Sequence, residues 1–262
     1  MDLKIIKNVA IAAAYKSGEL LCSSLGKISK INKKGAIDLV TEADIGSEKL
    51  IIETIRAAFP DHAILAEESG MNKGESEMEW IIDPLDGTTN FAHQVGIFSV
   101  SIAFEWKGDI VVGVVLNPAS GELFSAVAGE GAYLNGHSIH VSKSPSVSES
   151  LLVTGFPYNF KEIFDEVMSR FSNCLNVSQG VRRLGSAALD LCFTACGRFD
   201  GFWEQNLKPW DTAAGMLIAK EAGGCVTDFS DNPFTVEKKE ILATNGNIHE
   251  EMLSLLKLKD KI

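Results

Sequence analysis

What this 262-residue chain has little of closes off several classes of function. Basic residues are few: 24 Lys and Arg stand against 35 Asp and Glu, for a net charge of −11. A nucleic-acid or anionic-membrane surface needs clustered Lys and Arg, so neither partner is expected. Long apolar runs are missing too, and the longest, Ile110 to Leu116, cannot span a bilayer. The apolar stretch Val9 to Ala14 has no cleavage context after it, and Ile5, Ile6, Val9, Ala13, Leu20 and Leu21 keep helical spacing. An amphipathic first helix is expected there rather than an export signal. The five cysteines (Cys22, Cys174, Cys192, Cys196 and Cys225) form no Cys-x-x-Cys and are odd in number. They read as reduced, buried thiols of a cytoplasmic protein, with Cys192 and Cys196 in the core, and not as a zinc site. No Gly-x-Ser-x-Gly elbow occurs, and none of the five histidines joins a catalytic set, so covalent hydrolase chemistry has no support.

Prolines number only seven, which makes Pro84 informative. It sits in Asp83-Pro84-Leu85-Asp86-Gly87-Thr88-Thr89-Asn90, directly after the apolar Trp80-Ile81-Ile82. Pro84 fixes its own φ and lacks an amide hydrogen, which argues against a helix through this point. A buried strand ending in Asp-Pro-x-Asp aims two carboxylates at one place and leaves the Leu85 carbonyl facing it. Gly87, Thr88 and Thr89 then offer backbone amides and hydroxyls, as a helix N-terminus does to a phosphate. Hard oxygen donors beside such a cradle describe a magnesium-dependent phosphoryl-transfer site. Turn residues would account for a lone Asp-Pro-x-Asp-Gly, but with the following Thr chance gives a probability on the order of 10⁻⁴.

Three other segments share this character. Ala63-Ile64-Leu65 reads as a strand that exits into Glu67 and Glu68, of which Glu67 is nearer the strand. In Asp38-Leu39-Val40-Thr41-Glu42-Ala43-Asp44, Thr41 suits a helix N-cap with Asp44 at N3, and capping leaves Asp38 unexplained. Trp210-Asp211-Thr212 opens a helix that Gly223-Gly224 ends, and Asp211 could serve simply as its cap.

With these residues in view, the chain resembles the inositol monophosphatase family, within the lithium-sensitive, magnesium-dependent sugar phosphatases. Gly185-Ser186-Ala187-Ala188, Trp203-Glu204 and Glu221-Ala222-Gly223-Gly224 extend the match in family order. The resemblance implies metal ligands at Glu67, Asp83, Asp86 and Asp211 and at the Leu85 carbonyl, for two or three Mg²⁺ ions. It implies that Asp44 and Thr88 activate the attacking water, and that the amides of Gly87 and Thr88 hold phosphate. Gly185, Ser186, Ala187 and Glu204 match positions that meet the rest of the substrate, beside Glu67, Asp86 and Asp211. Arg182, just before Gly185, is a weaker candidate for binding phosphate or substrate. One departure is the short polar stretch Ser69 to Glu79, where some relatives carry a longer loop.

The fold so implied is α+β, a layered α-β-α-β-α sandwich of the inositol monophosphatase and fructose-1,6-bisphosphatase type. The residues suggest an N-terminal half (1–144) with most ligands and a C-terminal half (145–262) with Asp211 and the substrate contacts, or one large domain. Helices are expected over 3–25, 42–58, 160–173, 186–196, 211–222 and 247–257. Strands are expected over 63–66, 80–83, 97–106, 109–117 and 122–127, the last three as an antiparallel meander, and over 151–154, 176–179, 200–206, 225–228 and 240–244.

The expected activity is hydrolysis of inositol monophosphate to inositol and phosphate by a metal-activated water, in a cytoplasmic homodimer. Bound Mg²⁺ would reconcile an acidic chain with an anionic small-molecule substrate. The alternatives are a related phosphatase acting on fructose 1,6-bisphosphate, a nucleotide 3′-phosphate or histidinol phosphate, and a non-catalytic interaction protein on the same fold.

Overall fold

The computed structural model describes residues 2–27, 31–33, 39–72 and 77–258. Asp38 and the middle of the Ser69–Glu79 stretch lie outside them. Helix α1 (Leu3–Ser24) starts at Asp2, whose carboxylate accepts from the Lys4 amide. It buries Ile6, Ala10, Ala13, Ala14, Ser17, Gly18 and Leu21, a face turned by about one residue from the expected one, which leaves Ile5 exposed. The paired strands β1 (Ile31–Lys33) and β2 (Leu39–Thr41), unexpected from the sequence, lead into α2 (Glu42–Ala58). Thr41 and Asp44 form the capping box the sequence suggested.

The first sheet takes β3 (Ala63–Ala66), β4 (Gly70–Asn72) and β5 (Met78–Asp86). The short helix α3 (Thr88–Ala92) then precedes β6 (Ser99–Trp106), β7 (Asp109–Asn117), β8 (Glu122–Val127), β9 (Ala132–Leu134) and β10 (His137–Ile139). Its order is β10-β9-β8-β7-β6-β5-β3-β4, with β3 and β5 parallel and every other neighbouring pair antiparallel. The expected meander is β6-β7-β8, and β9-β10 extends it as a hairpin.

The second sheet comes from β11 (Leu151–Thr154), α4 (Phe164–Leu175), β12 (Gly180–Arg182), α5 (Ala187–Ala195) and β13 (Gly201–Gln205). It closes with α6 (Pro209–Glu221), β14 (Cys225–Thr227), β15 (Glu240–Thr244) and α7 (His249–Leu256), in strand order β12-β11-β13-β15-β14. Two expectations shift here. The strand expected over 176–179 begins only at Gly180, because the amides of Asn176 and Ser178 still bond to α4 carbonyls. Helix α4 starts at Phe164, not residue 160, since turns from Pro157 to Ile163 intervene.

Alternation along β5, β6 and β7 explains the layering. Trp80, Ile82, Ile102 and Val114 face the cluster built with α1 and α2, whereas Ile81, Ala103 and Val115 face α5 and α6. A sheet covered on both faces needs apolar side chains both ways, so these strands read as continuous hydrophobic runs. Helix α6 lies between the sheets and is buried at every position from Thr212 to Ala219. On the far side of the second sheet, Leu152, Trp203 and Leu242 pack with Cys174 of α4 and with Met252 and Leu256 of α7. The order of layers is therefore α-β-α-β-α. Cys174 and Cys192 are buried as expected, and burial pushes the Cys174 thiol up to about 12, but Cys22 is exposed and donates to the Pro118 carbonyl.

Candidate active site

Strand β5 continues through Pro84 to Asp86, with a bulge: Asp83 pairs with Ser101, and Asp86 with Ser99. Three steps on one strand thus oppose two on its partner, which is how an extra residue re-aims side chains at a strand end. Pro84 tolerates the irregular pairing because it has no amide hydrogen to place. The Asp83 carboxylate accepts from the Leu85 amide at 2.9 Å, and the Pro84 carbonyl accepts from Ser47 of α2 at 2.7 Å. Gly87 follows with φ +92°, and a Cβ there would lie 3.0 Å from the Ile97 oxygen and 3.1 Å from the Gly185 oxygen. Only glycine suits that conformation and that space.

The sharp turn brings Thr88 back under Leu85. Its hydroxyl lies 3.0 Å from Asp44 Oδ1 and 3.0 Å from the Leu85 carbonyl, and one hydroxyl hydrogen serves one of them at a time. The other Asp44 oxygen accepts from the Thr41 amide and hydroxyl, so the capping residue and the partner of Thr88 are one carboxylate. Burial holds Asp44 above its ordinary range, against these hydrogen bonds.

A cleft of about 280 Å³ opens in front of this turn. Glu67, Asp83, Leu85, Asp86, Gly87 and Thr88 line one wall. Gly185, Ser186, Ala187, Glu204 and Asp211 line the other. Glu67 arrives as the first residue past β3, its amide bonded to the Ile82 oxygen, while the buried Glu48 of α2 holds the Glu68 amide at 2.8 Å. Asp211 caps α6, accepting from the Lys208 amide at 2.7 Å, and lines the cleft as well, so the two roles are compatible. Asp86 ties the walls together: its Oδ2 accepts from the Ser186 hydroxyl at 2.6 Å and the Ala188 amide at 2.9 Å.

The sequence reading missed several lining residues, among them Gly155, Phe156, Tyr158, Lys208 and Trp210. It named Arg182 and not its neighbour Arg183. Arg182 is exposed at the end of β12 and does not line the cleft; Arg183 does, with its guanidinium 5.9 Å from the Phe156 ring. The loop after β11 was a findable signal, since loops at strand ends carry binding residues.

Charge is concentrated in this cleft. Burial first, then the charges of Glu67, Asp86 and Asp211, hold Asp83 well above the usual carboxylate range. Burial raises Asp86 and Asp211 as well, and it lifts Glu204 to about 8 with help from Asp211 and against Arg183. Asp190 of α5, buried with neither carboxylate oxygen hydrogen-bonded, is also raised well above its range, by burial and then by Glu204. A cation entering here would lower the cost of ionising all of them. Among the described residues no three His, Cys, Asp or Glu side chains stand as a ready coordination set, yet the donors fit a hard divalent cation: four carboxylates and a carbonyl, all oxygen. The fit rests on donor chemistry and on the strain of like charges, and it excludes a soft-metal site.

Fold and cleft together define a layered α+β protein with an acidic cleft between its two sheets. The sequence model of the Inositol monophosphatase family matches residues 2–260, and the chain belongs to that family. It is 47% identical over 257 residues to an inositol-1-monophosphatase of Synechocystis, covering 97% of this chain and 90% of that protein. It is 43% identical to the Nus factor SuhB of Pseudomonas aeruginosa, over 95% of this chain and 94% of the relative. The solved structure of inositol monophosphatase from Anabaena superposes with a TM-score of 0.89 at 43% identity, covering 98% of this chain and 96% of that one.

Proposed function

We propose that the protein is a Mg²⁺-dependent phosphomonoesterase that hydrolyses inositol monophosphate to inositol and phosphate. The observation that carries this reading is the convergence of Glu67, Asp83, Asp86 and Asp211 on one cleft beside the Asp44–Thr88 pair. Two or three Mg²⁺ ions, held by those carboxylates and the Leu85 carbonyl, would supply the positive charge that draws in phosphate and stabilises the departing alkoxide. Thr88 and Asp44 then orient water and accept its proton: with the Thr88 hydrogen on Asp44, the hydroxyl oxygen is left to accept from a water in the cleft. The water oxygen bonds to phosphorus as the ester P–O bond breaks in line, and no phosphoenzyme forms. The amides of Gly87 and Thr88 receive the phosphate oxygens, and Glu204 accepts hydrogen bonds from the polyol hydroxyls.

The same cluster is compatible with a related phosphatase acting on fructose 1,6-bisphosphate, a nucleotide 3′-phosphate or histidinol phosphate, because few side chains set the choice, and the expectation of a cytoplasmic homodimer applies to either. A different reading is a non-catalytic role as a Nus factor, which the 43% identity to SuhB favours. Phosphate release from a panel of these esters, with and without chelator, separates the readings. Activity should vanish in excess chelator, return with Mg²⁺ and fall in millimolar Li⁺. Full turnover in chelator would overturn the metal mechanism, and no turnover on any ester would favour the Nus-factor role.

A further inference from the structure

Gly155 is a cleft residue that neither the motifs nor the acid cluster accounts for. It follows β11, whose parallel register with β13 pairs Thr154 with Trp203, so the next step sets Gly155 beside Glu204. The Thr154 hydroxyl donates to the Trp203 carbonyl at 2.6 Å and locks that register. Backbone freedom does not explain the glycine, because its φ lies outside the left-handed region. Space does: a Cβ at residue 155 would overlap Oε1, Oε2 and Cδ of Glu204 at once.

The Glu204 carboxylate therefore rests against bare backbone. No hydrogen bond from the described residues holds it, and it is only 7% exposed. Behind it, the cavity lined by Gly155, Phe156, Arg170 and Trp203 has a volume of about 10 Å³, room for no more than one water. Glu204 lines both this cavity and the cleft of about 280 Å³, so the cleft is the larger space open to a displaced carboxylate.

We propose that Gly155 is a specificity-determining positioning residue: by lacking a side chain it seats the Glu204 carboxylate where a polyhydroxylated substrate meets it. This rests on the proposed role of Glu204 toward inositol hydroxyls. A methyl group at residue 155 would push the acceptor into the space of the ring and leave the phosphate end of the cleft, some elements away, in place.

The test is a cycle of Gly155→Ala, Glu204→Ala and the double variant, with Mg²⁺, assayed on inositol 1-phosphate and para-nitrophenyl phosphate. Gly155→Ala should lower the ratio of kcat/KM for inositol phosphate over the aryl ester by about tenfold, mostly through KM. In the Glu204→Ala background the same change should alter that ratio by less than about twofold, since its target is gone. Thermal unfolding reads the contact without substrate: Gly155→Ala should lower Tm in the wild type and much less in Glu204→Ala. Should Gly155→Ala not fold alone, the double variant must fold. Additive effects, an unchanged ratio or an unfolded double variant would overturn the proposal. A wild type without preference for inositol phosphate would overturn the substrate reading and the specificity role with it, while the Tm cycle still reports whether the contact exists.

Discussion

The two walls of the cleft are built by different means. The wall from the first sheet is mostly one continuous stretch, Asp83 to Thr89, in which a proline, a bulge and a left-handed glycine turn adjacent residues toward one point. The wall from the second sheet draws Gly155, Arg183, Ser186, Glu204 and Asp211 from loop, strand ends and helix starts spread over 57 residues. The first wall is pinned by short local bonds, such as those of Thr88 and Leu85. The second is pinned by register and packing, and Glu204 has no hydrogen bond among the described residues, only its contact with Gly155 and the charge of Arg183. The contrast suggests that chemistry needs a rigid local frame, whereas substrate choice can rest on a side chain whose seat is shaped by neighbours.

The largest effect should come from severing the chemistry common to both walls. Asp86→Asn or Asp211→Asn should cut kcat by at least about 10²-fold, because several kcal/mol of charge stabilisation is at stake. Folding should survive, as removing one carboxylate from a crowded acidic site relieves repulsion. Near wild-type turnover with unchanged Mg²⁺ dependence would show that the walls do not share a metal.

A smaller and more selective effect is expected on the second wall. Glu204→Gln should lose about 1–3 kcal/mol of kcat/KM on inositol monophosphate, the range for a hydrogen bond to a charged group. Its loss on para-nitrophenyl phosphate should be clearly smaller. Equal losses on both esters would move Glu204 into the machinery of the first wall.

The smallest effect concerns pH. Glu204 has an ordinary value of 4.5 and is lifted to about 8 in the folded protein. A raised carboxylate favours folding fully below its unfolded value and loses that contribution as pH rises through the folded one. The Tm of the metal-free protein should therefore fall between about pH 4.5 and pH 8. Asp83 and Asp190 are raised in the same direction, so Glu204→Gln should flatten the slope without abolishing it. Calorimetry in chelator would measure it, and a Tm rising over this range would refute the burial argument.

The first wall was open to reading from the sequence because its information is local. Pro84 forbids a helix, Gly87 permits the turn, and Asp44 was visible as the third residue of a capped helix. Helices and long strands were legible for the same reason, as periodicity and capping act within a few residues. That Arg183 rather than Arg182 lines the cleft was not legible, because the two are adjacent past a short strand and no local signal separates them. Strand β12 slipped because the end of α4 outlasted its pattern, and β1, β4 and β10 are three residues each, too short to show a period.

By itself the sequence determined the acids, their order, the break from helix at Pro84 and the family, whereas the bulge that re-aims Asp83 and Asp86 appeared only in the paired strands. Only the tertiary structure decided that Asp211 faces Asp86 across a cleft, that Arg183 and not Arg182 enters it, and that Glu204 leans on Gly155. The physical reason is range: dihedral limits and capping bonds act over a few residues, but a shared cleft depends on how two sheets pack around α5 and α6.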